Sequence, residues 1–163
     1  MESDDEITIN RLELSLERQL KWIQGADAKI SFIFAADAAM LGFVAATFKW
    51  DTCADWTHQI TALLALTLLG LSVLMASLAN FPRTTGPKGS IIFFKGISEI
   101  TPEEFLNRVQ KEDTSGYIND LSAQCHRNAT IAAKKFKWVQ RSSLALYFGI
   151  VPWLLYLALS FNN

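Results

Sequence analysis

Two stretches of twenty residues without a charged side chain, and a third of nineteen with a single carboxylate, restrict this chain more than anything else in it. Residues 30–48, ISFIFAADAAMLGFVAATF, hold no Lys or Arg and one acid, Asp37. At about 1.5 Å per helical residue, such a length matches a hydrocarbon layer of roughly 30 Å. Residues 60–79, ITALLALTLLGLSVLMASLA, and 142–161, SSLALYFGIVPWLLYLALSF, carry no charge at all. In hydrocarbon a single segment satisfies its own backbone N–H and C=O groups only as a helix. Three transmembrane helices are therefore expected, the third kinked at Pro152, where proline removes a helical N–H. Buried helices of a soluble bundle would keep a polar stripe at the 3.6-residue period, and these segments have none. The net charge of −1 singles out no partner, nucleic acid included.

The first span is preceded by an acidic opening (Glu2, Asp4, Asp5, Glu6) and stays polar to Lys29. A cleaved signal peptide has a basic start followed by a short apolar run, so this span reads as a retained anchor. Four basic residues precede it (Arg11, Arg18, Lys21, Lys29), one (Lys49) separates spans one and two, ten separate spans two and three, and none follows. The positive-inside rule then places the N-terminus in the cytosol and the C-terminus outside, in a bacterium the periplasm. The expected division is a cytosolic amphipathic helix at 1–29, spans at 30–48, 60–79 and 142–161, an outer loop at 49–59 with interfacial Trp50 and Trp56, and a cytosolic sensing insertion at 80–141. The fold class is an all-α membrane protein: three transmembrane helices, an amphipathic N-terminal helix and a mainly helical insertion between spans two and three.

Between Glu6 and Ala28, Ile9, Leu12, Leu16, Leu20 and Ile23 recur at helical spacing and must be buried on something. With seven acids against four bases in residues 1–29, this helix suits protein packing better than an anionic lipid surface. In the insertion, Pro82 and RTTGPKGS read as turns, and IIFFKGI, bounded by Gly89 and Gly96, reads as a short strand or an apolar lip. Thr101-Pro102-Glu103-Glu104 is a capping box that starts a helix running to about Glu112. A second helix is expected from near Ser115 through Trp138 into span three, with Ile118, Leu121, Cys125 and Ala132 on one face. Arg127, Lys134, Lys137 and Arg141 form a basic stripe on another, suited to lipid headgroups or to an anionic ligand.

No nucleophile–base pair, phosphate-cradling glycine loop or paired carboxylate stands out, so an enzyme is not expected, nor a cofactor. Cys53 and Cys125 make neither a disulfide framework nor a zinc set, and the topology puts His58 and His126 on opposite sides of the membrane. Asp37 is the exception. A carboxyl in an apolar span faces protein or water, which leaves two readings: a lining residue of an oligomeric pore or proton path, or a carboxyl joining helices through Thr61, Thr67 or Ser72. Ala38, Gly42 and Ala46, four apart and extended by Ala35 and Ala39, allow close helix approach. Three spans enclose no conducting path alone, so a channel here requires a homo-oligomer.

RQLKWIQGADAKISFIFAADAAMLG at the entry to span one, FPRTTGPKGSIIFFKGIS after span two, and TPEEF followed by NDLSAQCHRNATIAAKKFKWVQRS before span three give the chain a further character. In these stretches and in their order it resembles, over nearly its full length, the transmembrane effector family of bacterial Pycsar anti-phage systems. The resemblance implies an inner-membrane protein encoded with a pyrimidine cyclase, activated by cyclic UMP or cyclic CMP, that impairs the membrane and causes abortive infection. A cyclic nucleotide presents one phosphodiester charge, a base face and polar edges. Its pocket would want a cation, a stacking aromatic and an amide or hydroxyl. The insertion's candidates are Arg83, Arg127 and Lys134 for the phosphate, Phe94 or Tyr117 for stacking, and Gln124 or Asn128 for the base edge, with Pro152 as a hinge passing motion to the bundle. The expected partners are membrane lipid, a cyclic mononucleotide and further copies of the chain. The competing readings are a non-conducting anchor that recruits a protein through its cytosolic helices and a small proton-coupled transporter; the latter usually shows an internal repeat, and none is visible.

Overall fold

The structure, a computed structural model, describes residues 3–48, 56–81 and 85–162. Trp50, Cys53, Pro82 and Arg83 therefore lie outside the described residues. Five helices follow in chain order: α1 (Asp4–Thr47), α2 (Trp56–Asn80), α3 (Phe94–Ser98), α4 (Pro102–Lys111) and α5 (Thr114–Asn162). There is no strand among the described residues, so the fold is all-α. Helices α1, α2 and α5 are each long and apolar enough to cross a membrane. The chain forms two compact units, Met1–Gly25 with Pro82–Lys134 and Ala26–Phe81 with Lys135–Asn163.

The second unit holds the apolar stretches of α1, α2 and α5. Ala26, Ile30 and Ile33 of α1 meet Ala65, Leu69, Ala76 and Ala79 of α2 and Val139 and Leu146 of α5 in one cluster. Val44, Ala62 and Tyr156 form another, with Phe43 and Trp153 against it. Much of the α2 face is alanine, and Gly149 of α5 sits so close to α2 that an added Cβ would lie 3.0 Å from a Leu69 methyl. Such small contacts let helices pack where lipid supplies no hydrophobic drive. Large apolar side chains point the other way: Phe32 is 73% exposed, Leu63 66% and Phe148 67%. Apolar outside and small or polar inside is the arrangement expected of helices whose solvent is hydrocarbon. Pro152 is buried within α5, which continues past it to Asn162.

In the first unit, the start of α1 packs on α5. The Cys125 thiol donates to the Leu12 carbonyl at 3.3 Å, and the Tyr117 hydroxyl donates to Glu13 Oε1 at 3.0 Å. Ile9, Leu12, Leu16 and Ile23 of the N-terminal stripe are half-buried. One position departs from the periodicity: Leu20 is 46% exposed while Gln19 is buried. The inward line through Leu12, Leu16 and Ile23 passes nearer residue 19, about 40° from it, than residue 20, about 60° from it around the helix. Helix α4 begins as its capping box requires, with Thr101 Oγ1 accepting from the Glu104 N–H at 3.2 Å and Pro102 in the first turn.

The IIFFKGI segment corrects an expectation, since it makes no strand: Ile91, Ile92 and Phe93 are irregular and α3 follows. Side chains meet the backbone donors that a neighbouring strand would otherwise take. Ile91 N–H donates to Asp120 Oδ2 at 2.9 Å, and Ile92 and Phe93 N–H donate to Ser90 Oγ at 3.1 and 2.9 Å. With those donors satisfied locally, β-propensity alone has no partner to pair with.

Candidate functional site

The segment around residues 85–90 of the first unit is held by α5 from two directions. Ser90 is buried; its hydroxyl donates to Asp120 Oδ2 at 2.9 Å and accepts from Gln124 Nε2 at 3.1 Å. One α5 turn further on, Arg127 Nε donates to the Thr85 carbonyl at 2.9 Å, and its Nη2 reaches Thr85 Oγ1. Between these anchors Gly89 takes a φ of 74°, a left-handed turn that suits glycine. A Cβ on Gly86 would lie 2.4 Å from Phe93 Cδ1, so a larger residue there would push the ring away.

The turn walls a hollow of about 610 Å3, whose lining includes Lys88, Lys95, Arg108, Phe93 and Glu99. Three cations face one acid. Lys95 pairs with Glu99 at 3.9 Å and Arg108 with Glu104 at 2.7 Å, both exposed and therefore weak pairs. Lys88 has no ion-pair or hydrogen-bond partner among the described residues. A second hollow of about 420 Å3 on the other side of the segment is lined by Thr85, Gly86, Pro87, His126, Arg127 and Thr130, among others. The two share Thr85, Gly86 and Pro87.

The residues singled out from the sequence distribute unevenly. Arg127 lines the smaller hollow. Gln124 is buried with its amide nitrogen on Ser90, and Tyr117 has its hydroxyl on Glu13. The phenol is held above the ordinary tyrosine range by burial first and then by the Glu13 carboxylate. Phe94 is 64% exposed and tilted against Phe93 at 4.9 Å, with Phe93 the ring that lines the larger hollow. Asn128 and Lys134 line neither recess, and Arg83 lies outside the described residues. Lys88, Lys95 and Arg108 escaped the sequence reading because they fall at no common helical spacing. The one available signal was Lys88 inside the turn-rich GPKGS.

In the second unit Asp37 is fully buried, and Ser72 Oγ of α2 donates to its Oδ2 at 2.7 Å. Ser142 of α5 completes the knot, its hydroxyl 2.9 Å from the Ser72 carbonyl and 3.2 Å from Ser72 Oγ. Oδ1 of Asp37 has no hydrogen-bond partner among the described residues. Thr61 and Thr67 instead bond carbonyls of their own helix. Ala38, Gly42 and Ala46 lie on the exposed face of α1, opposite the knot. His58 bonds Ser160 at 3.1 Å and lies against Tyr156.

Three helices long and apolar enough to cross a membrane, together with a polar unit whose recesses are lined by cations, define a multispan membrane protein. The particular family follows from comparison: the chain belongs to the Pycsar effector protein domain family, whose match runs over residues 11–161. It is 25% identical over 142 residues to the Pycsar effector protein PtPycTM of Propioniciclava tarda, covering 80% of this chain and 69% of that relative. No solved structure matches it significantly. Membership makes it a membrane effector of anti-phage defence.

Proposed function

We propose that this effector is activated by a cyclic pyrimidine nucleotide, cyclic UMP or cyclic CMP, and then impairs the bacterial inner membrane, aborting infection as a homo-oligomer. The supporting observation is the larger hollow of the first unit, whose lining includes Lys88, Lys95, Arg108 and the Phe93 ring. One phosphodiester charge would sit with Lys88 and Arg108, the pyrimidine against Phe93, and Arg127 would steer from the neighbouring recess. Helix α5 contains both Arg127 and the third apolar stretch, so a ligand that prefers one setting of the first unit would act on the membrane through that helix and Pro152. The N-terminus and the basic insertion lie in the cytosol, where the nucleotide is made. Copies would meet along Ala38, Gly42 and Ala46, which the chain's own helices leave uncovered.

The test is dye release from liposomes carrying the purified full-length protein. Cyclic UMP or cyclic CMP should release dye where cyclic AMP does not, and Lys88→Glu should abolish the response. Silence toward both pyrimidine nucleotides from correctly inserted protein would overturn the proposal. The non-conducting anchor draws support from one observation, the engagement of Asp37 with its own chain's Ser72. If the anchor reading holds, Asp37→Asn leaves toxicity unchanged; if the effector reading holds, it changes toxicity or leakage while oligomer size stays the same.

A further inference from the structure

Within the second unit, α1 and α5 leave a groove of about 620 Å3 between them, lined among others by Lys29, Phe32, Phe136, Gln140, Ser143 and Tyr147. Its volume is that of a small-molecule site, about 300–1,000 Å3. Its chemistry changes along its length. At one end stand Lys29, just before the 30–48 stretch of α1, and Gln140, two residues before the uncharged 142–161 stretch of α5. Phe32 and Tyr147 follow roughly 5 and 10 Å further into those stretches. Ser143 lies between, so from Lys29 and Gln140 inward the lining turns apolar, while the Phe136 ring stands at the polar end under the Lys29 ammonium.

The charge at the polar end is uncompensated. The Lys29 ammonium lies 5.4 Å from the Phe136 ring centroid and makes no ion pair among the described residues. Asp27, the acid nearest it in sequence, is already paired with Lys135. Residues 133–147 contain Lys134, Lys135, Lys137 and Arg141 and no acid at all.

We infer that this groove is a binding site for one anionic phospholipid of the leaflet on the Lys29 side. Lys29 meets the phosphate, Gln140 and Ser143 meet the glycerol and ester oxygens, and an acyl chain lies along Phe32 and Tyr147. A second copy of the chain fits the groove less well, because a cationic mouth calls for a negative group and the small-residue face of α1 lies elsewhere. Basic recesses between membrane helices bind anionic headgroups by this combination of charge and apolar wall. The inference needs only that these helices cross a bilayer and is independent of the nucleotide.

Native mass spectrometry of the full-length protein in mild detergent tests it, with phosphatidylglycerol and phosphatidylcholine of identical chains in competition. One phosphatidylglycerol per chain should be retained, preferred about fivefold or more, the effect of one lysine near an anionic surface. Lys29→Gln should bring the preference close to parity, and Ser143→Trp, which fills the groove, should lower retention of both lipids. Lys137→Gln, outside the lining, should keep most of the preference, and glycerol phosphate without acyl chains should not compete. Equal loss in the Lys29 and Lys137 variants would mean diffuse surface charge and overturn the site. So would competition by free glycerol phosphate, or a second protein chain retained in place of lipid. Unchanged dye release with a lost lipid preference, or the reverse, separates this result from that of the nucleotide test.

Discussion

Each unit of this molecule is organised around a buried serine, and the two serines do different work. Ser90 gathers backbone: it accepts from the N–H groups of Ile92 and Phe93 and from Gln124, and donates to Asp120. Ser72 gathers helices: it donates to Asp37 of α1 and meets Ser142 of α5. The difference follows from where backbone groups are already satisfied. An irregular segment leaves N–H groups that need acceptors, so side chains are recruited to them. A spanning helix satisfies its own backbone, so its interior polar side chains are free to join neighbouring helices.

Removing the first serine should have the larger effect. Ser90→Ala leaves three donors without their acceptor, at about 1–3 kcal/mol for each one left buried and unsatisfied. Amide exchange at Ile92 and Phe93 should accelerate about a hundredfold, with the second unit unaffected. If both amides keep their protection, the serine does not hold the turn and the contrast fails.

The membrane knot should be weaker. Ser72→Ala or Asp37→Ala should lower thermal stability in detergent by about 0.6–1.7 kcal/mol, the range for hydrogen bonds between membrane helices. Asp37→Asn, which keeps an acceptor, should fall at the low end. A double variant that loses no less than the sum of the singles would show that Asp37 and Ser72 are not coupled.

Smaller still, Thr101→Ala should cost about 1 kcal/mol. It should be visible as faster exchange in the first turn of α4, without spreading to α5. The smallest effect concerns pH. Burial and Glu13 favour the protonated Tyr117 phenol, so its folded pKa stands above the unfolded one. The stability this contributes is complete below the usual tyrosine range and is lost as pH rises through the folded pKa. A scan from about pH 8 to 11 should show the decline, and Tyr117→Phe should flatten it.

The uncharged stretches announced spanning helices, and the Thr101 cap announced α4, because both rest on short-range physics: the length of hydrocarbon to be crossed, and one hydroxyl placed three residues before an N–H. The same local reasoning overreached at IIFFKGI, where β-propensity had no partner strand, and at Leu20, where spacing alone could not tell residue 19 from residue 20.

What the residues determined unaided was that α1, α2 and α5 are long and apolar and that Asp37 needed a polar neighbour. How far the inward face of α1 extends around Asp37 was decided only by the packed helices. Apart from Asp37 the span is apolar all round, so its order marks one inward residue but does not say that Ile33 and Val44 are buried while Ala38, Gly42 and Ala46 stay exposed. The recess lined by Phe93 is tertiary for the same reason: Lys88, Lys95 and Arg108 come from a turn and two short helices, and that turn is anchored on Asp120, Gln124 and Arg127 of α5.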